Sequence, residues 1–248
     1  MNKKTIFISL SIISLALFFL FSVIVRKHGL DTFDFNTTVK LQDHTGLRFD
    51  KVYPVFSFLA SIESMAVLLI VLLVFRKKIS GIFILLLFFA SHAVELFGKV
   101  FIHHPPPPFM FYKHLDVAPM SFDKTYVQAG SSYPSGHSFR TIFVAILFAY
   151  TICLSKKFSL PVKFVLLSLT ALFVIFVCVS RISLGEHWTT DVIGGLLFGF
   201  GMGFLGLFFI EIRTSTVKVS PSYHRYHNDT KIQEKRKRLL KELEELDK

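Results

Sequence analysis

The chain is poor in cysteine, in charge and in the polar composition of a water-soluble surface. Two cysteines, Cys153 and Cys178, stand among 248 residues. The membrane topology read below puts them near opposite faces, so no disulfide is expected and each reads as a small apolar core residue. A cleavage site is also missing: the first apolar run follows Lys3 and Lys4, but no small-x-small motif precedes Arg26 and Lys27. That run is therefore expected to stay as a helix rather than leave as a signal peptide. Only 18% of residues are charged, whereas 52% are hydrophobic, 30 are Phe and the mean hydropathy is +0.55. A soluble domain of this size is excluded.

What is present is a set of six apolar runs, at residues 5–25, 53–75, 79–102, 138–154, 160–179 and 189–212. Each is close to the ~20 residues that cross a bilayer core as a helix. The fold class predicted is all-α, a six-transmembrane-helix bundle. Lys3 and Lys4, then Arg76, Lys77 and Lys78, then Lys156 and Lys157, then Arg213 and the tail fall on alternate ends of the runs, the pattern of cytoplasmic ends. Both termini are expected in the cytoplasm of a cell-membrane protein, with residues 26–52, 101–137 and 180–188 on the opposite side. Two domains follow: the membrane bundle, 1–212, and a basic cytoplasmic tail, 213–248, whose Lys235-Arg236-Lys237-Arg238 run and leucine pattern predict a short helix held by anionic lipid headgroups. A nucleic-acid role is not expected of so short a tethered segment.

Along the chain, residues 26–52 mix charge with Phe33, Phe35, Leu41 and Phe49 and are expected to lie as an amphipathic stretch on the membrane surface. Glu63 and His92 fall about ten residues in from the outer face; a lone ionisable group there costs at least ~2.5 kcal/mol, so the two are expected to pair. Glu95 and Lys99 are spaced i, i+4 on one face. Four prolines, Pro105 to Pro108, then stop the helix just beyond His103 and His104. The glycines at 194, 195, 199, 201, 203 and 206 predict close helix packing in lipid.

Three polar clusters share the outer face. Lys99 closes the third run. Pro134-Ser135-Gly136-His137 opens the fourth, where a turn and a helix N-terminus bring backbone N–H groups, Ser135 and His137 together. Ser180-Arg181 ends the fifth and His187 and Asp191 begin the sixth. On a helix those two lie four residues apart on one face, so the carboxylate can hold one imidazole nitrogen protonated and leave the other free to attack or to take a proton.

The order and spacing of these clusters resemble the signature of the type-2 phosphatidic acid phosphatase and vanadium haloperoxidase superfamily. Its second motif, Pro-Ser-Gly-His, stands here at 134–137, and its third, Ser-Arg, five residues, His, three residues, Asp, at Ser180-Arg181, His187 and Asp191. The first motif, Lys, six residues, Arg-Pro, departs: Lys99 and Pro107 are in register, but Pro106 stands where the family carries Arg. Arg140, one turn beyond His137, is expected to supply the missing guanidinium, with protonated His103 or His104 as the alternative.

The resemblance implies an extracytoplasmic active-site loop and a membrane lipid phosphate or diphosphate phosphohydrolase, with polyprenyl diphosphate, phosphatidate or phosphatidylglycerol phosphate as substrate. It implies that His187 is the nucleophile, forming a phosphohistidine, that Asp191 orients it, and that His137 is the general acid and then base. Lys99, Ser135, Gly136 and Arg181 then bind the phosphoryl oxygens. No metal or other cofactor is implied, in keeping with a site that has cations and no carboxylate cluster. Two other readings stay open: a non-catalytic lipid-phosphate binder or transporter, and a phosphotransferase using the same site.

Overall fold

A computed structural model describes residues 2–76, 80–113, 131–216 and 222–246. Among them the regular structure is helical: α1 (Lys3–Arg26), α2 (Asp31–His44), α3 (Leu47–Asp50), α4 (Tyr53–Leu59), α5 (Ile62–Arg76), α6 (Ser80–Phe101), α7 (Gly136–Leu154), α8 (Leu160–Ser183), α9 (Thr189–Thr216) and α10 (Ser222–Leu246), with a single 3-10 turn at Phe109–Phe111. The chain forms two compact units, residues 1–210 and 211–248. In the second unit Leu239 and Leu240 of α10 are exposed.

Five helices, α1, α6, α7, α8 and α9, are long and apolar enough to cross a membrane. The run at 53–75 is not one straight helix: α4 and α5 bend by 55° at a short break. At that break the Ser61 hydroxyl accepts the Ser64 N–H at 3.2 Å, a cap that starts a new helix. The bend carries α4 against α8, where Ser57 reaches Arg181.

The bend also overturns the expected pairing of Glu63 with His92. Glu63 lies in the first turn of α5, exposed, where the free N–H groups of a helix start suit a carboxylate. His92 bonds instead to Glu95, one turn along its own helix, with Nδ1 2.9 Å from Oε2.

The glycines of α9 pack closely, as expected. A Cβ at Gly194 would lie 2.4 Å from the Tyr133 ring, at Gly199 2.3 Å from Ile142, and at Gly201 2.6 Å from Leu15. Helix α1 closes on this surface with polar contacts: Ser11 donates to the Gly201 carbonyl at 2.7 Å and Ser14 to that of Leu197 at 2.8 Å. In lipid, association has no water-expelling drive, so small residues and such bonds supply the contact. A stack of aromatic rings, Phe18, Tyr133, Phe139 and Phe198, fills the space between α1, α7 and α9.

Helix α2 differs from an amphipathic surface stretch in which face it buries. Asp34 and Thr38 are inside, while Phe33 and Phe35 are exposed. Asp34 accepts the Thr190 N–H at 2.8 Å and its hydroxyl at 2.6 Å, so a buried carboxylate, not an apolar stripe, fixes the helix.

Candidate active site

The polar residues singled out in the sequence lie at the end of α6, the start of α7, the end of α8 and the start of α9, which antiparallel neighbours bring to one side of the bundle. Ser135 caps α7: its hydroxyl accepts the Ser138 N–H at 3.5 Å and the Ser138 O–H at 3.1 Å, and its own N–H donates to the Asp191 carbonyl at 2.9 Å. The Pro-Ser-Gly-His turn is thereby tied to the first turn of α9. Gly195 makes this approach possible, since a Cβ there would sit 2.4 Å from the Ser135 carbonyl.

Helix α8 runs beyond the apolar stretch to Ser183 and holds Arg181 in its last turn, buried, with its guanidinium on the Ser57 hydroxyl and on Glu186. The loop to α9 is wound back on this residue: the N–H groups of Glu186 and His187 both donate to the Arg181 carbonyl, at 3.1 and 3.2 Å. Gly185 turns the chain with φ +72°, and its α-carbon abuts the Phe111 carbonyl so closely that a Cβ would lie 2.1 Å away.

His187 follows, 5% exposed, with Nδ1 3.3 Å from Asp191 Oδ2. That oxygen also accepts the Trp188 N–H at 2.9 Å, so a fully buried carboxylate fixes the imidazole with Nδ1 protonated and leaves Nε2 with its lone pair. Burial lowers the His187 pKa, opposed by Asp191 and assisted by the charges of Arg181 and Lys99; the net direction is down. His137 is half-buried and lies in the electrostatic field of Arg181, Arg140, His187 and Lys99, which places all five groups in one neighbourhood.

The cations are organised by a carboxylate that the sequence reading tied only to Lys99. Glu95, 2% exposed, lies 3.4 Å from Lys99 Nζ and 3.1 Å from Arg140 Nη1. It also lies against Gly136, where a Cβ would meet its Oε1 at 2.2 Å. Arg140 is thus beside the site, on the face expected, but paired with Glu95. His104 does not turn toward these cations. It is buried and bonds to Asp191 Oδ1 at 2.9 Å. Among the described residues, no group of three or more His, Cys, Asp or Glu is arranged to hold a metal ion.

Sequence reasoning missed Asp34 at this site, placed Glu95 only as the partner of Lys99, and offered His104 only as a stand-in for the missing guanidinium, whereas its ring bonds to Asp191. Glu95 had a local signal, its spacing to Lys99; for Asp34 and His104 no spacing relates them to Asp191.

Fold and site together define a multi-span helical membrane protein in which two histidines, three cations and an aspartate are gathered at one side of the bundle. Residues 79–214 match the PAP2 superfamily, and the chain belongs to that family. It is 29% identical over 131 residues to phosphatidylglycerophosphatase B of Bacillus subtilis (strain 168), a match spanning 53% of this chain and 58% of the relative. Among solved structures it is similar to the transmembrane PAP2-type phosphatidylglycerolphosphate phosphatase from Bacillus subtilis, with TM-score 0.66, 20% identity, and coverage of 82% of this chain and 96% of that one. The likeness to Aquifex aeolicus LpxE has TM-score 0.51, 20% identity, and coverage of 71% and 94%.

Proposed function

We propose that the protein is a membrane lipid phosphate phosphohydrolase acting through a phosphohistidine at His187. The observation that carries this is the buried His187–Asp191 pair set among Arg181, His137 and Lys99. Binding alone does not need an imidazole held by a buried carboxylate; nucleophilic attack does. In the reaction, His187 Nε2 attacks phosphorus, the bond from phosphorus to the lipid oxygen breaks, and His137 protonates the leaving alkoxide. His137 then takes a proton from the water that attacks the phosphohistidine, releasing phosphate and restoring both imidazoles. Lys99, Arg181, Ser135 and the Gly136 N–H receive the phosphoryl oxygens, and Arg140 supplies the guanidinium absent at Pro106. No step requires a metal.

The positive ends of the spans set the orientation: termini in the cytoplasm, site on the other side, at headgroup level, where a phosphate meets the pocket while its tail stays in lipid. Phosphatidylglycerol phosphate is the substrate suggested by the Bacillus subtilis relatives; phosphatidate and polyprenyl diphosphate fit the same chemistry. Pro106 is the one feature favouring a non-catalytic lipid-phosphate binder. Phosphate release by the purified protein from these three substrates in EDTA, with His187→Ala alongside, separates the readings. Release that survives chelation and is lost in the variant is expected; release from none of them favours the binder.

A further inference from the structure

Asp191 is gripped from two sides, and only one grip comes from the motif that contains it. Oδ2 faces His187 and the Trp188 N–H; Oδ1 faces His104 Nδ1 at 2.9 Å. The other ring nitrogen of His104 lies 3.6 Å from Asp34 Oδ2. Nδ1 carries a proton, because it meets a carboxylate oxygen. At 3.6 Å Nε2 is beyond hydrogen-bond reach of Asp34, which acts on the ring through its charge.

We propose that His104, backed by Asp34, is a positioning residue for the phosphoryl-transfer site. Its Nδ1–H pins Oδ1 of Asp191, which keeps Oδ2 on His187 and fixes the charge that faces the nucleophile. The inference rests on the reading of His187 as that nucleophile. Burial alone would favour neutral His104, but the bond to Asp191 and the charges of Asp191 and Asp34 outweigh it and raise its pKa; burial likewise raises that of Asp34 against its bonds from Thr190. The remaining groups around the pair are Asp31 of α2, at longer range, and the Tyr133 ring, edge-on at 6.4 Å. Around His187 they are Arg181, Lys99 and His137.

The main chain at His104 is anchored without its ring: its N–H donates to Ser131 Oγ at 3.1 Å and its carbonyl accepts the Ser132 N–H at 2.9 Å. Side-chain variants therefore test the ring rather than the loop. With the three lipid phosphates in detergent micelles and EDTA, kcat and KM are measured across the acid and neutral range, where substrate ionisation is common to all variants.

His104→Ala should lower kcat about 10- to 100-fold, as loss of a partner that orients a histidine's support commonly does, with KM little changed. Its acid limb of kcat/KM should move up by about one pH unit, because more of the Asp191 charge then faces His187 and favours its protonated form. His104→Asn, which keeps an N–H near the Nδ1 position, should restore the limb and most of kcat, and Asp34→Asn, which does not touch the His104 Nδ1–H, should leave the limb in place. A native profile in His104→Ala, or equal losses in His104→Ala and His104→Asn with the limb unmoved, would overturn the proposal. His187→Ala separates the levels. If it stays active, or if the native chain releases phosphate from none of the substrates, the nucleophile reading falls and this inference with it. If it is inactive while His104→Ala behaves as native, only the inference falls.

Discussion

At the residue scale, the cations of the site are each paired, Lys99 and Arg140 with Glu95 and Arg181 with Glu186. Burial lowers the His187 pKa, which favours the neutral imidazole that the proposed mechanism needs as nucleophile. A depressed imidazole pKa means the unfolded chain binds the proton more tightly, so this group subtracts stability as pH falls through its ordinary value. The acid limb of kcat/KM is accordingly expected below pH 6.5, the unperturbed value of the group, and a limb well above it would argue against an unprotonated nucleophile. Arg140 is buried on Glu95. Breaking such a pair from one side costs about 3–5 kcal/mol. Arg140→Ala is therefore expected to lower the melting temperature in detergent and, through loss of a phosphate donor, to reduce kcat/KM at least about tenfold. An unchanged kcat/KM would remove Arg140 from the clamp and leave it a structural partner of Glu95.

At the element scale, much was legible because the chemistry is local. The Ser135 cap and the glycine face of α9 are statements about one turn or one helix. The His187–Asp191 pair also forms, but His187 precedes α9, which starts at Thr189, so the loop wound back on Arg181 and the Trp188 N–H bond to Asp191 carry it rather than helical periodicity. The bend between α4 and α5 was not read, although Ser61, Glu63 and Ser64 interrupt the apolar run at that point; the Ser61 cap and the docking of α4 on α8 reveal it. Nor was the grip of His104 and Asp34, since His104 meets Asp191 across 87 residues and Asp34 meets Thr190 across 156. Such pairs are made by tertiary packing; residues 26–52 looked amphipathic from their mixture of charge with Phe33, Phe35, Leu41 and Phe49, and nothing in that pattern marks Asp34 as the buried residue.

Two glycines test the element level directly. Gly195→Ala would drive a Cβ into the Ser135 carbonyl, backbone that cannot yield cheaply. It should cost about 1–3 kcal/mol of stability and reduce activity further by displacing the Pro-Ser-Gly-His turn. Gly185→Ala, at positive φ and against Phe111, should cost about 1–2 kcal/mol from the backbone alone. Thermal unfolding in detergent, paired with phosphate release, reads both; native stability and activity in either variant would mean that the loop and α9 adjust freely.

At the scale of the whole molecule, the arrangement of spans sets which side of the membrane is served. On the proposed orientation, in which the positive ends of the helices face the cytoplasm, the end of α7 lies on the cytoplasmic side. Cys153 is exposed there, whereas Cys178 is buried in α8. A membrane-impermeant maleimide should therefore label Cys153 only after cells are permeabilised, and labelling in intact cells would invert the topology. The basic run of α10 is expected to add affinity for anionic lipid, seen as salt-sensitive vesicle binding that is lost when Lys235, Arg236, Lys237 and Arg238 are replaced by Gln.

The most direct measurement is to trap the covalent intermediate. Protein mixed with phosphatidylglycerol phosphate labelled on its terminal phosphate, then quenched rapidly in alkali, should carry label in a bond that survives base and is lost in acid, as a phosphorus–nitrogen bond is. The same label should be absent from His187→Ala. Label retained in that variant, or steady release of phosphate from the native protein with no base-stable adduct under any quench, would contradict a phosphohistidine at His187.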